Sequence, residues 1–286
     1  MNPLEPLETL YAIERGPALP LPAELAAVYG RLEFPPHPGR PYIIGNFVST
    51  LDGVVALNSP GSRTGGGEIS GFNEHDRLVM GLLRAIADAV IIGAGTLRSV
   101  PNHRWTAGHI YPPLLQAYQQ TRARLGIAEP PLSVIVTAQG AVNLSLPVFQ
   151  SGETPVLIVT TRSGAERLGE QLLPSWVKVS IAAGEGSVGA KAVLEAINRQ
   201  RSCDLILTEG GPKLMSVFFA ERLLDELFLT LAPQVAGRDG STERPGFVDG
   251  KRFAPEQPVW GTLVDLRRGS SHLFLRYAFG ETRGTT

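Results

Sequence analysis

Between residues 205 and 214 the chain reads Leu-Ile-Leu-Thr-Glu-Gly-Gly-Pro-Lys-Leu, a strand that runs through a tight turn into a helix. Four apolar or β-branched residues make a short buried strand. Gly210 and Gly211 have no Cβ, so the backbone can take positive φ and a ligand can approach its amides closely. Pro212 suits a first helical position, because the N–H it lacks has no partner there in any helix. Unpaired amides and the positive end of a helix dipole favour a phosphate, so Gly210, Gly211, Pro212, Lys213 and Leu214 form a candidate anion cradle. Glu209 stands just before the turn, at the carboxyl end of a strand, where ligand crevices of open α/β sheets lie. A Gly-Gly turn that only joins a strand to a helix fits the same residues.

The rest of the chain repeats this alternation. Apolar stretches at 41–48, 89–92, 132–137, 156–160, 177–181 and 225–232 read as strands, and helical spacing appears at 70–86, 112–125, 165–173, 189–199 and 212–220. Such alternation predicts an α/β fold with a mainly parallel sheet and flanking helices. The end differs: 263–267 and 272–278, around Arg268-Gly-Ser-Ser271, predict an antiparallel hairpin. Residues 41–280 show neither a linker nor a repeat and are read as one domain. Residues 1–40, rich in proline with one helix over 23–32, are read as an irregular arm on the surface, and 281–286 as a tail.

With 43% hydrophobic and 19% charged residues, a chain of 286 buries a sizeable core. Lys and Arg number 26 against 27 Asp and Glu, so no global field draws nucleic acid or an anionic membrane, and any anionic ligand is held locally. The single cysteine, Cys203, excludes an internal disulfide framework and a multi-cysteine zinc site. No signal peptide or membrane span is visible, and a cytoplasmic protein is expected.

Two further turns follow strands. Ser49-Thr-Leu-Asp-Gly53 delivers Thr50 and Asp52 to a strand end, where Asp52 either touches a ligand or only caps the turn. Gly93-Ala-Gly-Thr96 is a second glycine-rich turn, whose Thr96 hydroxyl suits a phosphate or the backbone, and Arg98 and Arg104 follow it. Between them, residues 58–67 carry three consecutive glycines and read as a lid or a linker, and Ser70 reads as the cap of the helix that holds Arg84. His103 and His109 lack carboxylate or cysteine partners at metal spacing, so they read as solvated and no metal is expected.

Taken in order, Ser49-Thr-Leu-Asp-Gly53, Ala87-Asp-Ala-Val-Ile-Ile-Gly-Ala-Gly-Thr96 and Thr208-Glu-Gly-Gly-Pro-Lys-Leu214 followed by Leu224-Asp-Glu-Leu227 resemble the reductase domain of riboflavin-biosynthesis deaminase-reductases, the RibD C-terminal-domain family. The resemblance covers about residues 40–280 and implies a dihydrofolate-reductase-like fold. It implies an NADPH-dependent reductase that turns the ribosyl group of a phosphoribosylamino-pyrimidine into a ribityl chain, usually as a homodimer. By position it places cofactor contacts on Val48, Thr50, Val55, Gly95, Thr96, Thr137 and 211–217, and substrate contacts on Glu209, Arg84 and Arg104. Glu209 and Asp52 are the expected catalytic residues, orienting the ribosyl group, and Arg98 or Arg162 the partners of a 2′-phosphate.

The chain departs from the family pattern at Gly65-Gly-Gly-Glu68, where a polar residue and a tryptophan are common, and at Val100, where an acid is frequent. It also lacks the zinc-deaminase motif, so a stand-alone reductase is expected. The alternatives are a reductase of another heterocycle such as a pterin, and a non-catalytic nucleotide-binding protein.

Overall fold

The computed structural model describes residues 4–58, 65–169, 172–182 and 186–280. In chain order its elements are β1 (Glu8–Ala12), α1 (Ala23–Tyr29), β2 (Tyr42–Ser49), α2 (Gly67–Ser70), α3 (Glu74–Ile86), β3 (Ala89–Gly93), α4 (Ala94–Ser99), α5 (Ala107–Ile110), α6 (Leu115–Arg124) and β4 (Leu132–Thr137). There follow α7 (Pro147–Gln150), β5 (Val156–Thr160), α8 (Arg162–Gly169), β6 (Val177–Ile181), α9 (Ala190–Gln200), β7 (Leu205–Thr208), α10 (Pro212–Ala220), β8 (Glu226–Leu231), β9 (Thr262–Gly269) and β10 (His272–Ala278).

The strands form one sheet in the order β1-β9-β10-β8-β2-β7-β3-β4-β5-β6. From β8 to β6 every neighbouring pair is parallel; β9 and β10 form the antiparallel hairpin the sequence predicts, and β10 joins β8, and β1 joins β9, antiparallel as well. Successive residues of a strand face opposite sides. Ile44, Val90, Ile92, Ile135, Ile158 and Leu207 therefore pack on one face with Leu25 of α1 and Leu78 and Leu82 of α3. Their neighbours Ile43, Ile91, Val134, Leu157 and Ile206 pack on the other with Val193 and Ile197 of α9 and Met215 and Phe218 of α10. Because both faces are covered, the parallel strands read as unbroken apolar runs.

Three expectations change. Residues 4–40 do not form an irregular surface arm: β1 extends the sheet by pairing with β9, and Leu25, Tyr29, Leu32 and Phe34 are buried in the core. Buried charges fasten this segment. Arg276 reaches Glu226 at 3.0 Å and the Glu33 carbonyl at 2.9 Å, and Arg267 lies 4.5 Å over the Tyr29 ring while holding Asp265 at 2.9 Å. The prolines favour an irregular path, but the apolar residues between them cover part of a sheet face.

Second, the cap of the Arg84 helix is Asn73, whose Oδ1 accepts from the Asp76 amide at 3.0 Å, and Ser70 belongs to the separate turn α2. Gly71 ends that turn in the left-handed region, φ 61°, where glycine costs little. Third, Gly93-Ala-Gly-Thr96 is not an open turn, since α4 begins directly after β3. Residues 59–64 of the expected loop and the tail 281–286 lie outside the described residues. Among the described residues no helix is long and apolar enough to cross a membrane.

Candidate functional site

Parallel strands deliver their carboxyl ends to one edge of the sheet, so the turns after β2, β3, β4 and β7 come together. Neither Gly210 nor Gly211 uses the positive φ open to glycine: Gly211 sits at φ −65°, ψ 177°, open to any residue. Close approach explains the glycine instead. A Cβ on Gly211 would lie 3.2 Å from Thr96 Oγ1, and one on Gly93 would lie 3.8 Å from the Gly211 amide nitrogen. The starts of α4 and α10 thus abut, and Gly95 adds open space beside them. The Gly211 and Lys213 amides have no backbone acceptor among the described residues, as the first turn of a helix requires. Two helix N-termini with bare glycine backbone suit a dinucleotide pyrophosphate.

The acid sits beside this cradle. The Glu209 amide donates to the Ile91 carbonyl at 2.9 Å, tying the turn to β3. Its carboxylate meets Arg84, which projects from the last turn of α3: Nε lies 3.0 Å and Nη2 2.8 Å from Oε2. Both side chains are withdrawn from water, 3% exposed for Arg84 and 8% for Glu209. Arg84 Nη1 lies 2.7 Å from His103 Nε2 and 3.4 Å from the Thr106 carbonyl. His103 is therefore not solvated. Burial, then the charges of Arg84, His109 and Arg77, push its pKa down to about 2, so the ring stays neutral. The sequence signal for it was the excess of cations over carboxylates in residues 98–109.

The other expected residues divide. Val48 and Val55 are buried at 8%, Thr137 at 6%, and the paired Thr160 hydroxyl beside it is buried without a hydrogen-bond partner among the described residues. That hydroxyl lies under Gly164 at the start of α8, where an added Cβ would come within 2.0 Å of it. Pro212 contributes its carbonyl to the Asp249 amide at 3.3 Å, Leu214 is buried, and Lys213, Arg98 and Arg162 are exposed. Arg104 pairs with Glu153 and lies 3.4 Å from His109 Nδ1.

Thr50 and Asp52 act on their own turn. The Thr50 hydroxyl donates to Asp52 Oδ1 at 2.6 Å and accepts from the Val54 amide at 2.9 Å. Asp52 also accepts from the amides of Ala236 and Gly237 at 3.0 and 2.8 Å, and these hydrogen bonds, Thr50 first, hold its carboxyl well below the usual range. Of the two readings, the geometry shows the capping one: Asp52 pins the long connection between β8 and β9, which the sequence left unread. Gly65 and Gly66 are explained by contact, since a Cβ there would meet Val100 Cγ1 at 2.9 Å and Val48 Cγ1 at 2.8 Å.

Against this geometry, the model of the RibD C-terminal domain matches residues 41–257. The chain belongs to the RibD C-terminal domain family. It is 27% identical over 202 residues to the riboflavin biosynthesis protein RibD of Chlamydia trachomatis, covering 71% of this chain and 48% of that relative. It thus spans about half the length of such two-part relatives. A 2,5-diamino-6-ribosylamino-4(3H)-pyrimidinone 5′-phosphate reductase of Archaeoglobus fulgidus is 27% identical over 216 residues, 75% of this chain and 89% of the relative. Among solved structures, a pyrimidine reductase-like protein of Corynebacterium diphtheriae superposes with a TM-score of 0.64 at 21% identity, covering 85% and 93% of the two chains. The RibD C-terminal fold, a dihydrofolate-reductase-like mixed sheet with antiparallel C-terminal strands, is thereby shown for this chain.

Proposed function

We propose that this RibD C-terminal domain protein is an NADPH-dependent reductase of a phosphoribosylamino-pyrimidine, converting its ribosyl group to a ribityl chain. One observation carries the reading: the buried Arg84–Glu209 pair lies at the end of β7, directly before the cradle formed by Gly211 and Thr96. The amides of Gly211 and Lys213 and the Thr96 hydroxyl would hold the cofactor's pyrophosphate, with Val48, Val55, Gly95 and Thr137 along its remaining length. NADPH, when bound, supplies the hydride. Glu209 accepts hydrogen bonds from the ribosyl hydroxyls and fixes the acceptor carbon, and Arg84 and Arg104 bind the anionic end of the substrate. Asp52 holds the turn that carries Thr50 and Val55. Arg98 or Arg162 would meet a 2′-phosphate, which favours NADPH over NADH.

The named activity of the Archaeoglobus relative, which this chain covers for most of its length, supports the reaction. A cytoplasmic homodimer is proposed with it. β8 and β10 have both edges paired, so a partner would meet a face of those strands.

The decisive experiment compares NADPH binding by calorimetry for the parent and Gly211→Asp, which brings a carboxylate beside Thr96. Binding by the parent and none by the variant is expected, followed by NADPH oxidation when the phosphoribosylamino-pyrimidine is added. Oxidation only with a pterin would move the substrate, and binding without oxidation of NADPH on any heterocycle would leave a nucleotide-binding protein. No binding by the parent refutes the cradle.

A further inference from the structure

His103 stands on the segment between α4 and α5, walled by two rings. Trp105 meets it edge to face with centroids 4.9 Å apart, and His109 does so at 4.6 Å. A guanidinium has only donors, so in the 2.7 Å contact with Arg84 Nη1 the imidazole Nε2 accepts and the ring proton resides on Nδ1. The charged groups around the ring are Arg84, His109 and Arg77, and each disfavours a second proton.

Counting donors shows what this contact does. Arg84 carries five N–H groups. The Nε–H and one Nη2–H point at Glu209, one Nη1–H at His103 and the other at the Thr106 carbonyl. Among the described residues one Nη2–H meets no acceptor, and Glu209 Oε1 receives only the longer 3.2 Å contact from Nε. The backbone is strained where His103 is walled in: Trp105 has φ 51°, a left-handed value that a bulky side chain adopts only under strain, and its burial at 2% holds it there.

We propose that His103 is a positioning residue for the reductase site: as a permanent acceptor for Arg84 Nη1 it fixes the guanidinium plane, so that the last Nη2–H donates to a substrate oxygen while Glu209 Oε1 accepts from a substrate hydroxyl. The inference rests on the reductase reading for its substrate but not for its geometry.

The test combines two variants with a measurement on the parent. His103→Phe keeps a flat ring without an acceptor, and His103→Gln keeps an acceptor oxygen. Loss of one such hydrogen bond predicts a fall in kcat/KM on the order of 10-fold for His103→Phe, recovery to within about threefold for His103→Gln, and an unchanged NADPH Kd in both. Equal kcat/KM in all three proteins overturns the proposal. Nitrogen NMR of the labelled parent gives a readout independent of activity. His103 Nε2 should show an unprotonated, hydrogen-bonded shift down to pH 5, and Arg84 should show slowly exchanging guanidinium protons that His103→Phe loses. A protonated Nε2, or Arg84 protons that exchange freely in the parent, refutes the positioning role even if the variants do not fold. If the parent is no reductase, the NMR result still decides the geometry, so the two failures are distinguishable.

Discussion

Replacing Glu209 by leucine removes the carboxylate that meets Arg84 through contacts of 2.8, 3.0 and 3.2 Å and leaves a guanidinium that is 3% exposed. Removing one member of a buried pair costs roughly 3–5 kcal/mol, because the remaining charge is unpaired out of water. His103 and the Thr106 carbonyl still accept from Nη1, which places the expected loss at the lower end, about 3 kcal/mol. For a chain of this size that lowers Tm by about 6–12 °C. The double variant Arg84→Met/Glu209→Leu removes both charges and keeps similar volume, so its stability should return to within about 1–2 kcal/mol of the parent. Urea unfolding followed by circular dichroism on the parent, both singles and the double measures the coupling, expected to exceed about 2 kcal/mol. The recovered double should still lack the proposed reductase activity, which separates folding from function. A Glu209→Leu loss under about 1 kcal/mol, or a double that loses the sum of the singles, would refute the claim that the pair is a closed, desolvated unit.

Acid should weaken the protein through His103. Its folded pKa lies below the ordinary value near 6.5, so its stabilising effect is complete above that pH and is lost as pH falls toward about 2. Parent and His103→Gln should therefore diverge between pH 6.5 and 4, the parent losing up to about 1.4 kcal/mol more per pH unit, and parallel curves in urea titrations would exclude this. Gly164→Ala should unfold the region beyond β5, because its Cβ would lie 2.0 Å from Thr160 Oγ1 and 2.7 Å from the Ala138 carbonyl. The expected drop in Tm is more than 10 °C, from overpacking against backbone, on the order of 3 kcal/mol or more, and a Tm within 2 °C of the parent would contradict it.

Much of this protein is local in origin. Short unbroken apolar runs of four to six residues, rich in β-branched side chains and bounded by turn residues, read as strands covered on both faces, so the parallel sheet was legible from 89–92, 132–137 and 156–160, and the hairpin from the spacing around Arg268 to Ser271. The turn of Glu209, Gly210 and Gly211 was legible because glycine and proline act on the backbone at their own positions. Residues far apart in sequence were decided by the tertiary structure. Asp52 reads the same as a catalytic acid or a turn cap until the amides of Ala236 and Gly237, more than 180 residues away, arrive at its carboxylate. His103 reads as solvated until α3 brings Arg84 to it, and the first 40 residues read as an arm until Tyr29 and Phe34 find the face left by β8 and β10. Burial and pairing are properties of contacts between distant segments, and no local pattern carries them.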